Sequence, residues 1–334
     1  MIVGGDVGGT KTLLGLFEAD PPEDGRRADR PRAVATYSYA TSEYGSIGEI
    51  LQEFRRAVGG PLTVEAAAIG VAGPVTGTAA KLTNVSWDVS ASEIAAGLGT
   101  MRVQVLNDLE AMANSVAVLT SDDVCVLQPG VPRADGNAAV IAAGTGLGQA
   151  LLHRVGGRLR PVASEGGHAD FAARTDREIE LVRMLRERYG RAEVEQVLSG
   201  PGLLNLHHFT HRGGECEMLT GVAEADAPPR ITQAGLGGRC QQCAEALRMF
   251  VSAYGAESGN LALRGMATSG LYVGGGIAPK ILPALQTGQF MDAFLAKEPM
   301  RELLERIPVT VILNPEAGLL GAAVHAQELA ARPA

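Results

Sequence analysis

Apolar residues along this chain follow two rhythms, and the switch between them marks the first position with a chemical reading. Over residues 101–106 (MRVQVL) Val and Leu form a short dense run, which predicts a buried strand. After Asp108 the rhythm turns helical, with Leu109, Met112, Ala113, Val116 and Leu119 recurring at three and four residues. Asn107 and Asp108 therefore stand where a strand ends and a helix begins. In open α/β sheets, ligands bind outside the carboxyl ends of strands. A carboxylate there can accept a proton from a substrate hydroxyl, and an amide beside it can orient that hydroxyl. On this stretch alone, a helix N-cap is the simpler reading of either residue.

The same patterning organises the rest of the chain. Residues 2–17 (IVGGDVGGTKTLLGLF) read as apolar run, glycine turn, apolar run, which predicts a hairpin. Residues 20–32 are charged and contain proline, an expected exposed loop, and 33–39 suggest another strand. Ser46 and Glu49 form a capping box for a helix whose buried face is Ile47, Ile50, Leu51, Phe54 and Val58, stopped at Gly59-Gly60-Pro61. Residues 63–71 read as a buried strand, and 82–89 (LTNVSWDV) lead to a short helix near 92–98. Residues 138–152 (AAVIAAGTGLGQALL) repeat the design of the amino terminus. Two such hairpins imply a duplicated architecture with ligand held between the halves.

Beyond it, Thr175 and Glu178 cap a helix that ends at Gly190. Residues 213–238 are expected to be loop-rich. Leu236, Cys240, Cys243, Leu247, Phe250 and Tyr254 mark one apolar helix face. Residues 271–276 run from strand into glycine turn, 307–313 form a last strand, and Asn314 with Pro315 is expected to open a closing helix. The implied domains are 1–119 with 317–334, and 120–316, with crossings near 120–123 and 313–318.

Composition narrows the class. A chain of 334 residues accommodates two ordinary domains, and 46% hydrophobic residues can fill their cores. The net charge of -8, without a long basic run, argues against nucleic acid as a partner. Four cysteines are too few for a disulfide framework and fit a reducing cytoplasm. The start MIVGGDVGGTK does not read as a signal peptide, and no apolar stretch reaches the roughly 18 residues of a membrane span.

Three glycine turns carry candidate chemistry. GDVGGTKT (5–12) approaches the P-loop pattern, but Thr10 replaces its second glycine and a strand, not a helix, follows. A hairpin turn can still present backbone amides to phosphate, Thr10 and Lys11 add a hydroxyl and a charge, and Asp6 could hold magnesium through water. The alternative is an ordinary glycine hairpin. Gly144-Thr145-Gly146-Leu147-Gly148 offers the same chemistry and lacks the dinucleotide fingerprint. Gly274-Gly275-Gly276 would let a flat ring or sugar approach the backbone. Ser164-Glu165-Gly166-Gly167-His168-Ala169-Asp170 suits a polyhydroxylated ligand, with a metal site or polar loop as alternatives. Cys240 and Cys243 form a C-x-x-C, which invites a zinc or redox reading, but both lie on the apolar face above, so core packing is the better reading. His207, His208 and His211 are read as surface residues.

Together these segments resemble the bacterial glucokinases of the hexokinase superfamily. The resemblance runs through GDVGGT, LTNVSWDVS, LNDLEAMA, AAGTGLG, SEGGHADFA, VEQVLSGPGLLNL, YVGGGIAPKIL and PEAGLLGAA, in the family's order and over nearly the whole chain. It implies an α/β, two-domain actin-like ATPase (ribonuclease H-like) fold with a central cleft, and transfer of the ATP γ-phosphoryl group to the 6-hydroxyl of D-glucose with Mg2+. By resemblance Asp108 is the general base, with Asn107 beside it on the sugar, and Glu165, His168 and Glu195 are further glucose ligands. Gly5, Asp6, Val7, Gly8, Gly9 and Thr10 with Gly144, Thr145 and Gly146 are the phosphate loops, and Gly274, Gly275 and Gly276 the adenosine-side turn. Lys11 stands where the family varies. The cysteine-rich zinc motif of the related repressor and sugar-kinase family is absent, and a hairpin starting at the second residue leaves no room for a helix-turn-helix. The resemblance also implies a cytoplasmic homodimer. A kinase for another hexose or amino sugar, and a sugar sensor without turnover, are the competing expectations.

Overall fold

The computed structural model describes residues 1–18, 30–82 and 85–332. Most of the loop expected over 20–32, and positions 83–84 of LTNVSWDV, lie outside the described residues. The chain forms two compact units. Unit 1 comprises Met1–Asp122, Val155–Ala163 and Asn314–Ala334, and unit 2 comprises Asp123–Arg154 and Ser164–Leu313.

Unit 1 begins with β1 (Ile2–Val7) and β2 (Lys11–Glu18), an antiparallel hairpin with Val7 opposite Thr12. β3 (Arg32–Ala40) extends it. Helix α1 (Ile47–Val58) follows, and Ser46 accepts the Glu49 N–H while the Glu49 carboxylate reaches back to the Gly45 N–H at 2.7 Å. Its apolar stripe buries Ile47, Ile50, Leu51 and Phe54. β4 (Ala66–Val71) is buried along its whole length, as expected of a strand covered on both faces. The short strands β5 (Val75–Thr76), β6 (Ala79–Lys81) and β7 (Asp88–Ser90) form a separate small sheet. Helix α2 (Ala91–Leu98), strand β8 (Val103–Asn107) and helix α3 (Asp108–Ser115) complete this part. The main sheet has the order β3-β2-β1-β4-β8.

Unit 2 repeats the plan. After β9 (Val124–Gln128), strands β10 (Ala138–Ala143) and β11 (Leu147–Val155) form the second antiparallel hairpin, closed at Ala143 opposite Leu147. β12 (Arg158–Ser164) comes next in the chain and, but for Ser164, belongs to the Val155–Ala163 segment of unit 1. Helices α4 (Asp176–Tyr189), α5 (Gly200–His211), α6 (Ala227–Leu236) and α7 (Gln241–Gly265) precede β13 (Gly270–Gly274). Short helices α8 (Leu282–Leu285), α9 (Gln289–Leu295) and α10 (Arg301–Glu305) lead to β14 (Val309–Ile312). β10, β13 and β14 are mutually parallel neighbours, matching β1, β4 and β8 of unit 1. The core of unit 2 centres on α7. Its Tyr254 is fully buried, with Oη 3.2 Å from the Ala143 N–H that it accepts and 3.2 Å from the Gly274 carbonyl. One side chain thus ties the ends of β10 and β13 together.

Four expectations need correction. Residues 213–238 are not mainly loop: α6 forms there, with Pro228 and Pro229 in its first turn, where their missing N–H donors cost nothing. Leu236 ends α6 with 41% exposure, so it is not on the α7 face, and Cys240 is the α7 N-cap. The closing helix α11 (Ala317–Ala330) starts after Glu316, while Asn314 makes a turn by accepting the Glu316 N–H at 2.8 Å. Finally, α3 stops at Ser115, short of the periodicity to Leu119. Ala111 explains why close packing, not the apolar stripe, sets this helix. A Cβ at Gly70 of β4 would lie 2.7 Å from Ala111 Cβ, and one at Gly321 of α11 would lie 1.7 Å from the Ala111 carbonyl oxygen. Two glycines let α3 sit against both elements, which fixes its first residues.

Candidate active site

In unit 1 the carboxyl ends of three parallel strands meet in register. Val7 pairs with Val71, and Val71 with Asn107. This is where an α/β sheet presents ligand-binding residues. Asn107 is the α3 N-cap: its Oδ1 accepts the Leu109 N–H at 3.0 Å, and its Nδ2 donates to the Gly73 carbonyl at 3.3 Å. Asp108 is the first helical residue, and its Oδ1 accepts the same Leu109 N–H at 2.8 Å. The capping role and the chemical candidacy therefore coexist. The N-terminal end of the helix dipole favours negative charge here.

Asp6 occupies the same end of the sheet. Burial pushes its carboxyl up to about 6, the charge of Asp108 adds to the rise, and Lys11 opposes it. Two mutually repelling carboxylates beside a glycine turn suit a cation or a proton-accepting reaction. Gly318, at the start of α11, faces Asp6: a Cβ there would lie 2.7 Å from Oδ2. The turn itself is closed by the Gly8 N–H donating to the Lys11 carbonyl at 3.0 Å. Gly8, Gly9 and Thr10 stand in it, whereas Gly5 and Val7 are buried in β1. Gly5 is there for packing, since a Cβ would meet Ile69 Cδ1 at 2.4 Å.

Unit 2 gathers the remaining predicted residues by backbone pairing. The Glu195 N–H donates to the Gly167 carbonyl at 2.9 Å, and the Val194 N–H to Ala169 at 2.9 Å. The Glu195 carboxylate accepts the Leu147 N–H at 2.7 Å, closing against the Gly144–Gly146 turn. Gly166 and Gly167 make this approach possible: Cβ atoms there would lie 2.4 Å from Gln149 Oε1 and 2.2 Å from the Leu147 carbonyl oxygen. Glu165 and His168 are left exposed at either end of that glycine pair.

The His168 ring is held by a residue the sequence reading missed. His168 Nδ1 lies 2.7 Å from Glu193 Oε2, and this bond pushes the imidazole up. With its proton on Nδ1, the neutral ring offers Nε2 as an acceptor. Nothing in the spacing of His168 and Glu193 announces the pair, because it depends on a loop crossing.

The glycine turns of unit 2 also converge. Gly275 has φ +83°, and a Cβ would sit 2.3 Å from the Ala143 carbonyl oxygen, so only glycine fits. The Ile277 N–H donates to Ala143 at 3.2 Å, and the Gly200 N–H at the start of α5 donates to Gly144 at 2.8 Å. Two turns and a helix amino end thus surround one patch of backbone, an arrangement suited to anions.

The reading of His207, His208 and His211 as surface residues is overturned for His207, which is 4% exposed. The carboxyl end of α5 packs near the amino end of α7, a long-range contact that helical periodicity does not reveal. Cys243 is buried as expected, whereas Cys240 is only half-buried.

A protein-family model described as Glucokinase matches residues 3–329. A protein named glucokinase from Synechocystis sp. (strain ATCC 27184 / PCC 6803 / Kazusa) is 38% identical, covering 97% of each chain. The crystal structure of a glucokinase from an Antarctic psychrotroph superposes with a TM-score of 0.84 at 29% identity, covering 98% of each chain. The fold is also that of a ROK family glucokinase from Streptomyces griseus in complex with glucose and AMPPNP, with a TM-score of 0.64, 22% identity, and coverage of 98% of this chain and 99% of that one.

Proposed function

The chain belongs to the glucokinase family, and from that premise we propose the following roles for its residues in the ATP-dependent phosphorylation of D-glucose to glucose 6-phosphate. The fold is the two-unit actin-like ATPase fold of its structural neighbours. The observation that carries the reading is the family match over residues 3–329, together with Asn107-Asp108 at the shared carboxyl end of β1, β4 and β8.

In the reaction, Asp108 accepts the proton of the glucose 6-hydroxyl as that oxygen bonds to the γ-phosphorus and ADP departs. Asn107 orients the hydroxyl. Glu165, His168 and Glu195 bind the other sugar hydroxyls, with Glu193 fixing the His168 ring. Charge in phosphoryl transfer spreads over the moving group, so positioned amide donors supply much of the stabilisation. The turns at Gly8, Gly9 and Thr10 and at Gly144, Thr145 and Gly146 are the donors, and Gly274, Gly275 and Gly276 take the adenosine side. Mg2+ fits Asp6, whose raised carboxyl and glycine neighbour at Gly318 suit a hydrated cation. When bound, the ion neutralises phosphate charge. The domain division at residues 119–120 and 316–317, a cytoplasmic location, a homodimeric assembly and entry of the product into glycolysis complete the proposal. Among the described residues no helix is long and apolar enough to cross a membrane.

A coupled ADP-release assay over a panel of hexoses and amino sugars tests this reading. Glucose should give the highest kcat/KM. ADP release with another sugar and none with glucose would reassign the substrate, and glucose binding without ADP release would make the protein a sensor.

A further inference from the structure

Unit 2 carries a cluster of soft donors apart from the residues assigned to glucose and nucleotide. His207 and His211 are one turn apart on α5, with their rings stacked at 3.8 Å between centroids. Cys216 follows α5, and Cys243 lies in the first turn of α7. One ligand atom from each of these four residues lies within 4.8 Å of every other. We propose that His207, His211, Cys216 and Cys243 form a structural zinc site that fastens the carboxyl end of α5 to the amino end of α7.

Three observations carry the inference. First, the Cys216 and Cys243 sulfurs are 3.9 Å apart. A tetrahedron with Zn–S bonds of about 2.3 Å has an edge of about 3.8 Å. A disulfide needs roughly 2.05 Å. Second, His207 is 4% exposed, and neither of its ring nitrogens has a hydrogen-bond partner among the described residues. A neutral imidazole has one acceptor nitrogen, and burying it without a partner is costly. A metal ion would use that nitrogen. Third, His211 Nδ1 is 2.8 Å from the His207 carbonyl oxygen. Donation from Nδ1–H leaves Nε2 as the acceptor, the usual arrangement of a metal-bound histidine whose other nitrogen holds a backbone carbonyl.

Two imidazoles and two thiolates in tetrahedral reach select zinc among the common divalent ions. Binding releases the two thiol protons to solvent as two S–Zn bonds form. Cys240 lies beside the set as a capping thiol. Its sulfur is 3.4 Å from the Cys243 N–H nitrogen and 3.4 Å from His211 Nε2.

The test uses the full chain, reduced and loaded with zinc alone, then separated from free metal by gel filtration. Metal content should be one zinc per chain, and chelation should lower Tm. Cobalt loading should give thiolate-to-cobalt charge-transfer absorption and the intense visible bands of a tetrahedral site. Cys216→Ser, at a half-buried position, should weaken zinc binding by about 100-fold or more, at least the loss caused by disturbing a ligand's supporting partner. Cys240→Ser should retain the zinc. Absence of retained zinc and of the thiolate–cobalt band in the reduced wild-type protein would overturn the proposal. So would full zinc retention in both Cys216→Ser and His207→Gln, or a Cys216–Cys243 disulfide forming in air in a protein that takes up no zinc after reduction.

Discussion

The two glycine hairpins are built alike but sit beside carboxylates with different neighbours. At the β1/β2 turn, burial raises the Asp6 carboxyl to about 6, and the charge of Asp108 adds to the rise. At the β10/β11 turn, Glu195 accepts the Leu147 amide and Glu193 holds His168. Mutually repelling carboxylates store a demand for a proton or a cation, which suits chemistry. Carboxylates already held by donors form a fixed frame, which suits recognition. Under the proposed roles, turnover rests on Asp108 in unit 1 and sugar discrimination on Glu195 and His168 in unit 2.

The largest expected effect lies on the chemical side. Asp108→Asn keeps shape and removes the base, so kcat should fall by about 100-fold or more with a much smaller change in glucose affinity. Near wild-type turnover would reduce Asp108 to a helix-start residue and erase the contrast.

Changes on the recognition side should be smaller and fall on a different constant. Glu195→Gln should cost about 1–3 kcal/mol, seen mainly as a raised KM for glucose, since a held acceptor is replaced by a group that also donates. Glu193→Gln should act in the same direction more weakly, because it loosens the His168 ring without removing it. The separation collapses if either variant lowers kcat alone and leaves glucose affinity untouched.

The smallest effect concerns stability and carries a sign. The Asp6 carboxyl is raised from 3.8 to about 6 on folding, so the stability linked to its protonation is fully present below 3.8 and is lost as pH rises through about 6. Asp6→Asn should therefore unfold at higher denaturant than the parent above that range in the ligand-free protein. The gain should shrink to nothing below 3.8, and the variant should require more Mg2+ for turnover. A stability difference independent of pH would show that folding does not raise the Asp6 carboxyl.

Much of this was legible in the chain. The Ser46–Glu49 and Thr175–Glu178 caps signal helix starts because capping is local, and the structure has them. The two hairpins were visible because each strand run and its glycine turn lie within about sixteen residues, and strand burial shows directly in composition. The strand-to-helix switch at Asn107 was visible for the same reason. Misreadings have two sources: α3 is seated through Ala111 against Gly70 and Gly321, which are distant in the chain, whereas α6 opens with two prolines that look like loop markers but fit a helix's first turn.

The sequence by itself determined the order of elements, the glycine turns at strand ends and the family, since these depend on short-range periodicity and on motifs read in order. Only the tertiary structure decided which side chains share an environment. It brought Glu193 to His168 across 25 residues, set Tyr254 under both β10 and β13, and gathered His207 with Cys216 and Cys243. Such pairings arise where the chain folds back on itself, and their polar partners are chosen by burial and distance rather than by spacing along the chain.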